Sequence, residues 1–165
     1  MCARIVIALG GNAILRKGQR GEYEEQMNNI RVVCKQIADI IEMGHEVVIT
    51  HGNGPQVGNI LLQNEIAKEQ VPPMPLDVCV AESQGMLGYM ISQALQSELR
   101  RRGINKPVVT VITRVLVDKD DEEFSRPTKP IGRFYSKKEA EELMKIKGWQ
   151  MMEDAGRGWR RVVPS

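Results

Sequence analysis

Two short runs of β-branched residues, "RIVIALG" at 4–10 and "HEVVIT" at 45–50, flank a stretch with the periodicity of one long helix. Between them apolar side chains fall at Met27, Ile30, Val33, Cys34, Ile37, Ile40 and Ile41. That spacing is one helical face. Gly44 follows where a helix end takes a left-handed residue. A strand, a helix and a second strand in this order make a crossover, expected to be right-handed, with the strands parallel neighbours. The chain is therefore constrained to the α/β class, with a mainly parallel sheet.

The pattern continues past the second strand. Gly54-Pro55 opens a helix, Pro being tolerated at the first helical position, and this helix runs to about Glu69 before the breaker "VPPMP" at 71–75. Asp77 is expected to cap a longer helix that ends near "RRRG" at 100–103, where basic residues suit the helix dipole. "PVVTVIT" at 107–113 reads as a third buried strand. Residues 118–135 are charged and proline-rich, and "SKKE" at 136–139 is a capping box that starts a short helix ending at Gly148. This excursion from the sheet reads as a lid.

Both strands of the first crossover end in glycine loops, "GGNA" at 10–13 and "HGNG" at 51–54. Parallel neighbours put their carboxyl ends on one edge, where open α/β sheets bind ligands. Glycine lets backbone approach a ligand closely, and free N–H groups converging at a helix start suit an anion, phosphate above all. No GxxxxGK[ST] occurs, so this is not a P-loop. Gly52, Gly54 and Gly58 follow GxGxxxG, and no strand follows the helix as a Rossmann site requires. The plainer reading is that these glycines only turn the chain and that Asn12 and Asn53 only satisfy local backbone.

Composition removes other classes. A net charge of +2 and an aromatic content of 4% do not suit nucleic acid. No apolar run approaches the roughly 20 residues of a membrane span, and the N-terminus begins a strand instead of a signal peptide. Cys2, Cys34 and Cys79 are an odd number without CxxC spacing, which points to a reduced, cytoplasmic compartment with the thiols packed as small apolar groups. With 2 histidines there is no metal-ligand cluster, and "DKDDEEF" at 118–124 reads as a solvated loop.

Four segments in series, "ALGGNAIL" (8–15), "THGNGPQVG" (50–58), "ESQGMLGYMI" (82–91) and "RPTKPIGRFY" (126–135), closely resemble the carbamate kinases of the amino-acid kinase family. The resemblance covers the whole chain. It implies a three-layer α/β/α fold with a protruding lid-like subdomain, a homodimer, and reversible phosphoryl transfer between carbamoyl phosphate and ADP with Mg²⁺. Related amino-acid kinases carry a lysine where this chain has Ala8, which favours carbamate kinase over kinases of other amino acids. Members of the family are roughly twice as long, so these 165 residues correspond to an N-terminal half, without the nucleotide-binding half and expected to be inactive alone. The expected parts are 1–116 for the substrate side, 117–150 for the protruding subdomain and 151–165 for a return to the sheet.

The resemblance also assigns residues. Gly10, Gly11, Gly52 and Gly54 would give backbone donors to phosphate and carbamate oxygens, Asn12 and Asn53 would add amide donors, and Lys129 would bring the one cation. Lys129, Asn12 and Gly11 are thus the catalytic candidates. His51 reads as a structural hydrogen-bonding residue. The helix of "ESQGMLGYMI" reads as core and dimer contact. Mg²⁺ would arrive with ATP or ADP, without dedicated ligands here. Two alternatives stay open: another amino-acid kinase, and a non-catalytic phosphate-binding or dimerising remnant.

Overall fold

A computed structural model of the chain describes residues 2–164. The chain divides into two compact units, one formed by Met1–Asn53 with Ser83–Ile112 and the other by Gly54–Glu82 with Thr113–Ser165.

In the first unit, strand β1 (Arg4–Leu9) leads through a single-turn helix α1 (Gly11–Ile14) to helix α2 (Tyr23–Glu42) and strand β2 (Glu46–His51). The strands are parallel, in register from Arg4 opposite Glu46 to Leu9 opposite His51. The expected crossover is the one observed, and Gly44 takes the left-handed conformation (φ 89°) just past α2. The α2 face carrying Met27, Ile30, Cys34 and Ile37 packs into one core with Leu87, Ile91, Leu95 and Leu99, and Ile7, Val47 and Ile49 of the strands lie against it. The alternate strand positions face outward, leaving Val6 66% and Val48 46% exposed.

Helix α3 (Gly54–Ala67) opens the second unit, and helix α4 (Leu76–Arg101) runs from the second unit into the first. Asp77 lies inside the first turn of α4 instead of capping it. Past the end of α4, Arg102 ties this helix to α2. Its guanidinium donates to Asp39 (2.6 Å), Glu42 (2.8 Å) and Glu98 (2.8 Å), and also to the Lys35 carbonyl.

The stretch 107–113 forms no strand ladder among the described residues. Its backbone is held by a side chain instead: Gln96 of α4 donates to the Lys106 carbonyl and accepts from the Val108 N–H. The two-residue alternation survives. Val108 packs on the core, and Thr110 and Ile112 lie against Gly88 and Gly85 of α4. Val109 and Val111, pointing the other way, are exposed rather than buried. A Cβ at Gly88 would stand 2.1 Å from the Thr110 methyl, so this glycine permits a close approach within the chain.

The second unit contains a separate antiparallel sheet in the order β3 (Lys129–Tyr135), β5 (Trp159–Val163), β4 (Met151–Glu153). Among the described residues the segment from 151 on therefore does not return to the parallel sheet; β5 pairs with β3 on one side and with β4 on the other. Residues 54–82 also belong to this unit and not to a continuous 1–116 domain. The capping box at Ser136 is formed in full: its hydroxyl accepts from the Glu139 N–H, and the Glu139 carboxylate accepts from the Ser136 N–H. Helix α5 (Lys137–Lys147) follows and ends at Gly148 with φ 62°. Helix α3 packs on β3 where Gly58 meets Gly132.

Candidate functional site

Parallel register decides where the first unit can meet a ligand. Because Leu9 stands opposite His51, Gly10–Asn12 and Gly52–Asn53 leave the same sheet edge side by side. Neither loop contains a carboxylate to repel an anion.

The glycines of these loops differ from most others in the chain. Gly44, Gly132 and Gly148 have positive φ, which only glycine adopts easily. Gly58 and Gly88 are crowded by neighbouring atoms. Gly10, Gly11 and Gly52 meet neither condition: a Cβ on each would touch nothing within 4 Å, and none has positive φ. Gly10 sits at φ −68° and ψ 167°, open to any residue. Their own fold does not require glycine there. Bare backbone facing open space is what close approach by an external group requires.

The donors are unequal. Gly10 stands at the N-cap of α1, and the first N–H groups of any helix lack an internal partner. Asn12 is exposed, with no side-chain hydrogen bond among the described residues. The Gly52 N–H, in contrast, donates to the Leu9 carbonyl at 3.1 Å. Gly52 thus extends the strand pairing by one bond, and the expectation that its N–H faces phosphate is corrected: this glycine offers bare surface, not a donor. His51 places Nδ1 3.2 Å from the Gly52 carbonyl, in keeping with a structural part.

Asn53 is held from the side. Its amide donates to the Ser83 hydroxyl at 2.6 Å, and Ser83 is wholly buried. Sequence reasoning passed over Ser83 because a serine inside an apolar helix reads as core. Its place in the "ESQG" segment was the one available signal. In the "ESQGMLGYMI" segment Leu87, Met90 and Ile91 are buried in the unit's own core, whereas Met86 and Tyr89 are exposed.

Gly54 and Lys129 belong to the second unit. Gly54 is the first residue of α3, directly after Asn53 in the chain, and a Cβ there also meets nothing within 4 Å. Lys129 begins β3, opposite Val163, and is exposed. Among the described residues no group of three or more His, Cys, Asp or Glu is placed to hold a metal ion.

The amino acid kinase family matches residues 3–156. Carbamate kinase of Pyrococcus horikoshii is 60% identical over 100% of this chain and 53% of its own length. The Thermococcus kodakarensis enzyme of the same name is 59% identical over 98% of this chain and 52% of its own. Among solved structures, carbamate kinase from Giardia lamblia bound to citric acid superposes with a TM-score of 0.89 at 48% identity, covering 99% of this chain and 52% of that one. The chain spans about half the length of the curated relatives it matches.

Proposed function

Because this chain belongs to the amino acid kinase family, we propose that it forms the carbamoyl-phosphate side of a carbamate kinase. The reaction moves a phosphoryl group reversibly between carbamoyl phosphate and ADP. The observation that carries the reading is the pair of adjacent glycine loops whose glycines the fold itself does not require. The carbamate kinase relatives direct that anion site to this substrate.

In the synthetic direction an oxygen of the terminal ADP phosphate attacks the phosphorus of carbamoyl phosphate. The bond from phosphorus to the carbamoyl oxygen breaks, and carbamate leaves with the electron pair, later giving ammonia and CO₂. No proton has to move, which suits loops without a general base. Positioning and charge stabilisation are what such a transfer asks of a protein. In this reading the N–H groups of Gly10 and Gly11 and the side chains of Asn12 and Asn53 orient the anion. Gly54 adds backbone at the start of α3, and Lys129 supplies positive charge in the reaction. Mg²⁺ travels with the nucleotide phosphates, and no step is assigned to it.

The proposal includes a homodimer. Its support in the chain is an exposed apolar pair, Met86 at 38% and Tyr89 at 63%, one helical turn apart on α4. Sedimentation at micromolar concentration tests it, and a monomer alone would remove it.

The activity is tested by coupled ATP formation from carbamoyl phosphate and ADP. A protein of the relatives' length carrying this segment should turn over, and the 165-residue chain alone should not. Lys129→Ala in the longer protein should lower kcat by roughly 10²–10³, the usual effect of losing one preorganised charge-stabilising group. An unchanged kcat would remove Lys129 from the reaction. Absence of any turnover by the longer protein would remove the reading itself.

A further inference from the structure

The second unit encloses a cavity of about 510 Å³, within the range of ordinary small-molecule sites. Its apolar wall comes from Leu61 and Leu62 of α3, Leu143 and Ile146 of α5, and Trp149. One side is fixed by Asn64, whose carbonyl oxygen accepts from the Met74 N–H at 2.7 Å and so pins the proline-rich 73–76 segment to α3.

Three cations and three carboxylates line this space, and their partners differ. Lys147 is paired with Glu65, which also takes Lys68 at 3.2 Å. Glu139 is held by the Ser136 cap, with Arg133 3.8 Å away, and Glu142 is exposed. Arg161 of β5 stands apart. Its guanidinium lies 4.7 Å from the centre of the Trp149 ring and has no hydrogen-bonded or ion-paired carboxylate among the described residues. Burial pushes this guanidinium below its ordinary range, with Glu65 and then Tyr135 opposing from a distance.

A partly desolvated cation without a bound anion is costly. Planar guanidinium matches a carboxylate through two parallel N–H···O bonds. The apolar wall then asks for an apolar body on that anion. A second negative charge would meet the lining carboxylates Glu65, Glu139 and Glu142, while Lys147 is paired with Glu65 and Arg133 lies 3.8 Å from Glu139. We propose that this cavity binds an organic monocarboxylate with an apolar body, its carboxylate on Arg161 and its chain against Leu61, Leu62, Leu143 and Ile146. Its lining shares no residue with the glycine loops.

Octanoate, octan-1-ol and acetate, titrated calorimetrically into the unmodified 165-residue chain, separate the two halves of the argument. Octanoate should bind at least roughly tenfold more tightly than octan-1-ol, the difference expected for a charge-assisted pair, and acetate should not bind detectably at millimolar concentration. Octanoate should also change tryptophan fluorescence, because Trp149 lines the site. Arg161→Met, which keeps the apolar stem, should weaken octanoate at least roughly tenfold and leave octan-1-ol unchanged. Absence of octanoate binding at millimolar concentration would overturn the proposal. Octan-1-ol binding as tightly as octanoate would remove Arg161's part, and acetate binding equally well would remove the apolar body. The titrations of the unmodified chain decide the matter even if Arg161→Met fails to fold.

Discussion

Ser83 and Asn53 are 30 residues apart in sequence and joined by a 2.6 Å hydrogen bond, the amide of Asn53 donating to a hydroxyl that is wholly buried. The bond fixes the end of the β2 loop to the helix that also forms the core. A flexible glycine loop thereby gains one rigid side chain. Ser83→Ala should lower unfolding free energy by about 1–2 kcal/mol, since a half-buried amide loses its partner. In a double-mutant cycle with Asn53→Ala, the two losses should not add, because both delete one bond. Additive losses in urea titrations would mean that Asn53 is held by something else.

Gly54 provides a test that separates fold from function. Glycine in a helix is less stable than alanine by roughly 0.5–1 kcal/mol, and a Cβ at Gly54 has open space around it. Gly54→Ala should therefore leave the thermal midpoint unchanged or raised. In a longer protein carrying this segment it should weaken use of carbamoyl phosphate more than use of ADP. A lowered midpoint would mark Gly54 as a structural glycine.

Gly58 should behave in the opposite way. Its added Cβ would lie 2.4 Å from the Cα of Gly132 and 2.6 Å from its nitrogen, both backbone atoms that no rotamer change can move. Gly132 itself needs glycine because its φ is 76°. Gly58→Ala should cost about 3 kcal/mol or more by forcing α3 away from β3. Circular dichroism in urea reads this directly, and a loss below about 1 kcal/mol would show that the helix shifts without difficulty.

Glu98 makes stability depend on acid pH. Hydrogen bonds from Arg101 and then Arg102 hold its carboxyl down to about 2, against an ordinary value of 4.5. A carboxyl depressed in the folded state stabilises above its ordinary value, and that contribution is lost as pH falls toward the folded value. The urea midpoint should therefore decline between pH 4.5 and about 2. Glu98→Gln should flatten that part of the profile, leaving a remainder from Glu65 and Asp154, which basic neighbours also depress. An identical profile for the variant would sink the assignment.

The three cysteines divide by burial, contrary to the expectation that all would be packed. Cys2 is exposed, whereas Cys34 and Cys79 are buried. Burial, and then Glu98, pushes the Cys34 thiol up to about 12, so almost no thiolate forms near neutral pH. An aromatic disulfide reagent should titrate one thiol in the folded chain and three after denaturation. Rapid reaction of more than one thiol would contradict the burial of Cys34 and Cys79.

Local patterns carried much of this protein. The period of Met27–Ile41 and the left-handed site at Gly44 determined α2; the spacing of Ser136 and Glu139 determined the start of α5, and Gly148 its end. Each depends on contacts within a few residues, which order along the chain already specifies. The two glycine loops were legible for a related reason: a parallel crossover must bring both strand ends to one edge. Tertiary structure decided what depends on distant partners. Apolar content alone did not say that 107–113 would lean on Gln96 instead of a strand, because a ladder requires a neighbour that the run does not contain. Nor did the prolines and charges of 126–135 show that β3 would pair with β5. The Gly52 N–H was captured by Leu9, and Asn53 by Ser83, only once β1, β2 and α4 had assembled. A hydrogen-bonding group's chemistry is written in the residue, but which partner takes it is fixed by packing across the fold.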